Sequence, residues 1–337
     1  MRGAQHDGAT ALDAPLRALT VEGSVELARL ERSGLVESRH IGAAAVVDAD
    51  GTVLRAVGDV HATIYPRSTL KPLQAVAMLR AGARFSDAEL VLAISSHCGS
   101  PEHVAVVERM LADDHRNEES LQCPPLWPLG SEQRAALQAA GLGPSRLTNN
   151  CSGKHAGMLR ASDALGADAA QYLEAEHPVQ ALIRDVVAEF TGLPLPHLAV
   201  DGCGAPMPAT TLAGLARGIA RLTRGDNPEG QRVFDAVLAE PWAIDGVGRA
   251  NTMVVERLGA LAKLGTEGLV VMGTREGVAV AVKVLDGTMR ATTPVALALL
   301  ASVGAVDGDR AQQLIDETSV RLEAAGREIG RLHVSVA

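Results

Sequence analysis

Apolar residues in this chain first run in short extended stretches, then take up helical spacing, and return to strand-like runs near the C-terminus. Ile41 to Val47 is an apolar run, Asp48-Ala49-Asp50-Gly51 is a turn signal, and Thr52 to Val57 follows, which together predict a β-hairpin. Next comes Tyr65-Pro66-Arg67-Ser68-Thr69-Leu70-Lys71-Pro72, leading into Leu73, Val76, Ala77 and Leu79. Pro72 has no N–H to give and belongs in a first turn, so a helix is predicted to start near Ser68. Ser86-Asp87-Ala88-Glu89 is a capping box for a second helix, which ends at Ser95-Ser96-His97-Cys98-Gly99-Ser100. Pro101 opens a third. Further helices are predicted over 131–140, 153–165, 178–190, 210–223 and 230–239.

Leu269 to Met272 and Gly277 to Leu285 read as strands, helices follow near 294–303 and 309–325, and Leu332 to Val336 reads as a last strand. Strands at both ends with helices between them predict an α/β (mixed α+β) fold. In it a central mixed sheet from about 35–65 and 265–337 carries an inserted helical region over about 68–260. Residues 21–337 read as a single domain. Residues 1–20 lack periodicity and read as a flexible N-terminal extension.

Hydrophobic residues make up 47% and charged residues 21%, as in soluble globular proteins. Aromatics are only 2%, so the core must be Ala, Leu and Val, and platforms for stacking bases or sugars are scarce. A net charge of −9 without a basic cluster argues against nucleic acid or an anionic membrane as partner. Pro294 to Val306 is the longest uncharged apolar candidate and is too short for a bilayer. Met1 to Asp7 lacks an apolar signal core, and four cysteines in a chain this long make no disulfide framework. A reducing cytoplasm is the expected setting.

Several groups could carry chemistry. Ser68 and Lys71, three apart at a helix start, share a face, and a desolvated Lys can take the proton of a Ser hydroxyl. An N-cap Ser followed by a solvated Lys is the competing reading. Ser96 offers a second hydroxyl, or a helix-end side chain that satisfies backbone groups. Cys151 and Lys154 fall one turn apart in Asn149-Asn150-Cys151-Ser152-Gly153-Lys154-His155, and Val200-Asp201-Gly202-Cys203-Gly204 reads as a strand end feeding a glycine loop. Two thiols and a carboxylate could bind zinc if these loops converge, or they are ordinary loop residues. Ile244-Asp245-Gly246-Val247-Gly248-Arg249 suits a substrate carboxylate or is a surface loop with a solvated Arg. Lys263, before a strand, is a loop Lys or a catalytic amine. Phosphate-loop, nucleophile-elbow and dinucleotide motifs are missing, so nucleotide chemistry has no support.

As a set, Arg67-Ser68-x-x-Lys71-Pro72, Ser96-His97, Asn150-Cys151-Ser152-Gly153-Lys154-His155-x-Gly157-Met158-Leu159, Asp201-Gly202-Cys203, Gly248-Arg249 and Lys263-Leu264-Gly265 resemble a known family. This family is the L-asparaginases of the type first described in rhizobia. The resemblance runs from about residue 30 to 335. It implies a fold like the serine β-lactamases and glutaminases, a homodimer, and hydrolysis of L-asparagine to aspartate and ammonia. It also implies two Ser–Lys pairs, Ser68 with Lys71 and Ser96 with Lys263. Cys151, Lys154 and Cys203 would bind a zinc ion that supports substrate binding, and Arg67, His155, Asp201 and Arg249 would line the substrate pocket. The chain departs from better-known members at Gly204, where an Asn can follow the Cys, and at His97-Cys98-Gly99, where His-Ser is more common. A glutaminase or other Ser/Lys amidohydrolase, and a non-catalytic zinc or amino-acid binding protein, are the rival readings.

Overall fold

Alternation along one long strand decides the layering. In the computed structural model, which describes residues 16–195 and 197–336, the chain begins with β1 (Val25–Arg32), β2 (Leu35–Asp48) and β3 (Val53–Val57). Successive side chains of a strand point to opposite faces. Ala43, Ala45 and Val47 of β2 therefore enter one core, while Ala44 and Val46 enter a second core on the other side. Burial on both faces is why this strand reads as an unbroken apolar run.

A short strand β4 (Thr63–Ile64) leads into a 3-10 turn over Arg67–Leu70 and then α1 (Lys71–Arg80). The helical region continues with α2 (Asp87–Ile94), α3 (Pro101–Asp113), α4 (Ser131–Ala139), α5 (Ser152–Ala164) and α6 (Pro178–Thr191). After β5 (Leu198–Val200), β6 (Pro206–Pro208) and β7 (Thr210–Thr211) come α7 (Leu212–Thr223), α8 (Pro228–Ala239) and α9 (Ala250–Leu258). The chain returns to the sheet through β8 (Leu261–Gly265), β9 (Leu269–Gly273) and β10 (Val278–Val284). It ends with α10 (Thr292–Ser302), α11 (Gly308–Thr318), β11 (Arg321–Ala324) and β12 (Arg327–Val334). The main sheet runs β11-β12-β1-β2-β10-β9-β8, with β3 also paired to β2.

Leu73, Leu92, Met158, Val186 and Leu215 from the helical region cover one face, and Leu297, Leu300 and Leu314 from α10 and α11 cover the other. The α2 capping box is formed on both sides: Glu89 N–H donates to Ser86 Oγ, and Ser86 N–H donates to Glu89 Oε2 at 2.8 Å. Such a cap contributes about 1 kcal/mol. Among the described residues no helix is long and apolar enough to cross a membrane.

The α/β architecture, with N- and C-terminal strands around a helical region, is the one expected. Its details differ in five places. Every described pairing of the main sheet is antiparallel, so strand directions are not mixed. β1, β8 and α9 join the fold where no element was predicted. Ser68 sits in the 3-10 turn, and α1 proper begins at Lys71. The helix expected over 309–325 stops at Thr318, and β11 follows. The expected extension lies outside the described residues up to residue 15; beyond that, Thr63 N–H donates to the Arg17 carbonyl at 2.7 Å and Ala18 bridges Thr63.

Candidate active site

Three separate parts of the chain meet at the Ser96 hydroxyl. Ser96 lies in the extended segment after α2 and is held by its backbone: Ser96 N–H donates to the Ile244 carbonyl at 3.3 Å, and Cys98 N–H to the Asp245 carbonyl at 2.8 Å. Lys263 comes from β8. It shares a face with Leu261, which belongs to the helical-side core, whereas Ala262 between them belongs to the opposite core. Its Nζ donates to Ser96 Oγ at 2.8 Å and also to the Leu264 carbonyl. Lys71, the first residue of α1, donates to Ser96 Oγ at 3.3 Å and to the Ser95 carbonyl.

Of the two implied Ser–Lys pairs, Ser96 and Lys263 are in contact. Ser68 lies one turn before Lys71 and is 6% exposed, but among the described residues no hydrogen bond joins its hydroxyl to the Lys71 amine, which is turned toward Ser96 instead. Lys263, expected in a loop, is a fully buried strand residue. Burial, and then the charge of Lys71, push its amine down to about 7, against the opposing pull of Asp245, Cys151 and Asp201. An amine at this value can exchange protons near neutrality.

Arg67 precedes Ser68 with φ +51°, a left-handed conformation that costs roughly 1–3 kcal/mol in a non-glycine residue. Its Nε lies 2.8 Å from Asp201 Oδ1, which also accepts from the Gly202 N–H at 2.9 Å. Burial alone would raise the Asp201 carboxyl, but Lys154 and Arg67 hold it below the ordinary value. Arg67 and Asp201, far apart in sequence, are thus one charged unit beside Ser68.

Cys151 stands at the head of α5, and Lys154 one turn later donates to Cys203 Sγ at 3.0 Å. A hydrogen bond from Cys151 and the Lys154 charge bring the Cys203 thiol down to about 5, while that same bond and burial push Cys151 up to about 12. Burial opposes the charge on Lys154, yet the two sulfurs and Asp201 carry its amine above its ordinary value. Two soft sulfur donors and an amine therefore converge as the implied zinc site requires. Among the described residues no group of three or more His, Cys, Asp and Glu is placed to hold a metal, so a zinc ion here depends on Lys154 as third donor, after loss of its proton.

His155 Nδ1 pairs with Tyr172 Oη at 2.7 Å, and its buried Nε2 has no partner among the described residues. Burial and the Lys154 charge push this imidazole down to about 3, so it is neutral. Arg249 is engaged rather than free: its Nε donates to Asp245 Oδ1 at 2.6 Å. The guanidinium borders a cavity of about 690 Å³ that Cys98, Ser100, His103, Gly130 and Trp242 also line.

Two features were missed in the sequence. Asp245, hidden in a glycine loop, is 3% exposed. The other is a matter of residue usage: only four of the 31 lysines and arginines are lysines, namely Lys71, Lys154, Lys263 and Lys283. The first three are at most 1% exposed and all lie here, while the fourth donates to the Glu267 carbonyl in the turn after β8. A surface that uses arginine almost throughout leaves lysine for positions that need an amine able to lose its proton.

The sequence profile of the L-asparaginase II family matches residues 28–334. No curated protein matches the chain. Among solved structures, a beta-lactamase from Mycobacterium bovis is 15% identical, covering 78% of this chain and 94% of its own, with a TM-score of 0.36. The protein Mglu in its native form is 15% identical over 79% of this chain and 65% of its own, with a TM-score of 0.43.

Proposed function

The chain belongs to the L-asparaginase II family, and from that premise we propose that it hydrolyses the side-chain amide of L-asparagine, giving L-aspartate and ammonia, with Ser68 as nucleophile. The observation that carries this reading is the convergence of two buried amines, Lys263 and Lys71, on the Ser96 hydroxyl, with Lys71 one turn after Ser68.

Ser68 Oγ attacks the amide carbon, and its proton passes to Lys71, which hands its own proton through Ser96 to the neutral amine of Lys263. The tetrahedral intermediate collapses with cleavage of the C–N bond. Ammonia leaves with that proton, relayed from Lys263 through Ser96, and Ser68 holds the aspartyl group as an ester. Water then attacks the ester carbon, giving its proton through Ser96 to Lys263, and Ser68 leaves with a proton from Lys71, which recovers one from Lys263 through Ser96. Backbone N–H groups of the 3-10 turn at Ser68 are the candidate oxyanion donors.

Asp201, held by Arg67, is the anionic partner for the substrate ammonium, and Arg249 the cationic partner for its carboxylate. His155, neutral and with a buried nitrogen unpartnered among the described residues, is the polar wall of the pocket. Cys151, Lys154 and Cys203 would hold the zinc ion, which when bound would supply a Lewis acid at the substrate-holding side. The assembly is proposed to be a homodimer.

Ammonia release by the purified protein is the test, with L-asparagine and L-glutamine compared side by side. No ammonia from either amide, or full activity in Ser68→Ala, would overturn the reading. Faster release from glutamine would keep the chemistry and change the substrate.

A further inference from the structure

Asp245 does two things at once. Its backbone carbonyl, with that of Ile244, holds the Ser96–Cys98 segment, at 2.8 and 3.3 Å. Its side chain is buried, and Oδ1 is tethered by Arg249 Nε at 2.6 Å. The other oxygen, Oδ2, is buried without a hydrogen-bond partner among the described residues. A carboxylate kept only for an ion pair would gain by satisfying both oxygens, since an unpartnered buried one costs stability. The close approach is also built in: Gly246 has φ +135°, and a Cβ there would lie 2.6 Å from Cys98 Sγ. Only glycine lets this loop lie against the segment that carries Ser96.

We propose that Asp245 is a positioning residue for the Ser96–Lys263 pair: its backbone clamps the segment whose Ser96 hydroxyl accepts from Lys263, and its Arg249-anchored carboxylate supplies a fixed negative charge beside that pair. The ionisable groups facing Lys263 are Lys71 from α1, Cys151 at the head of α5, Asp201 from the loop after β5, and Asp245. Lys71 disfavours a charge on Lys263; the other three favour it, with Asp245 first among them. The carboxylate therefore keeps the amine from falling further, near the value at which it can both accept and return a proton.

This inference takes its catalytic meaning from the Ser–Lys reading, but its test does not depend on activity. Because the chain has four lysines, protein labelled with ¹³C at lysine Cε gives four signals, and Lys263→Met identifies the one that matters. In Asp245→Asn the Lys263 titration should move to lower pH than in the wild type. The kcat for ammonia release should fall about 100-fold, as when a reacting group is displaced by an ångström. An unmoved Lys263 titration overturns the proposal, whatever the rate. Should Asp245→Asn fail to fold, Arg249→Leu releases the carboxylate from its partner, and Lys263 should then titrate at higher pH; no movement there is equally fatal. A wild-type protein that releases no ammonia overturns the proposed function alone, because the Lys263 titration still decides the role of Asp245.

Discussion

The amine of Lys263 lies 2.8 Å from the hydroxyl of Ser96 across 167 residues of chain. The N-terminal half brings the hydroxyl at the end of a helix, and the C-terminal half brings the amine on β8, an edge strand of the sheet. Neither half can complete the pair, so the proton path exists only once the helical region has docked on the sheet.

A pH profile tests that pair. Lys263 accepts a proton only when neutral, and its amine, pushed down to about 7, becomes neutral as pH rises. The kcat/KM should therefore climb through about pH 7 and level off above it. Lys263→Arg, permanently charged, should stay inactive at every pH. Folding carries the same sign. The unfolded chain holds this proton up to the ordinary value of 10.5, so stability should increase between about pH 7 and 10.5, and Lys263→Met should flatten that rise in urea titrations.

Ser68 and Ser96 are separable by intermediate trapping. Ser68→Ala removes the attacking oxygen, and no acyl-enzyme mass should appear after rapid quenching with L-asparagine. Its melting temperature should stay near that of the wild type, because this hydroxyl makes no hydrogen bond among the described residues. Ser96→Ala should still acylate, with turnover reduced roughly 10²–10⁴-fold, the range for lost general acid–base help. An adduct in Ser68→Ala would move the nucleophile elsewhere.

Zinc addition should raise the melting temperature, and a chelator should reverse the gain. Binding to the folded chain alone stabilises it by about 2.7 kcal/mol at a hundredfold excess over Kd. Cys203→Ser should lose the gain. A wild-type melting curve indifferent to zinc would remove the metal from the proposed function.

Gly153 lies between Cys151 and Lys154 for a steric reason. A Cβ at this position would come within 2.4 Å of the Leu92 carbonyl oxygen, so α5 could not rest against α2. Gly153→Ala should cost about 1–3 kcal/mol by denaturant unfolding, as overpacked cores do. At Gly157 the nearest atom is the flexible Met78 sulfur at 2.9 Å, and the same substitution should cost less. Equal losses at both positions would remove this explanation of the glycine.

Elements with strong local signals were legible in the sequence. The Asp48–Gly51 turn, the Ser86 capping box and Pro101 each state their structure within a few residues. β1 was not, because Glu26, Arg29 and Glu31 interrupt its apolar positions, and Leu27, Ala28 and Leu30 are buried only in the core shared with the distant α10 and α11. β8 was hidden by the lysine at its centre, a residue that local patterning assigns to a loop. The site was legible as a set of motifs, but not as geometry. Sequence spacing pairs Ser68 with Lys71, whereas the fold turns that amine toward Ser96. Asp245 carried no signal at all, since its importance lies in what packs around a glycine loop.

β8 has one further consequence, for insertions and deletions. Its pairing sets Lys263 opposite Val271, with Leu261 opposite Gly273 and Gly265 opposite Leu269. Both faces of the sheet are buried, so the strand would tolerate the amine geometrically on either one, but only one face looks toward Ser96. One residue added between Gly259 and Lys263 would put Ala262 in the lysine's place and send the amine into the layer of α10. Two added residues would restore the face at a different height. The parity of this short segment is thus itself a functional constraint, one that a survey of point substitutions would never reveal.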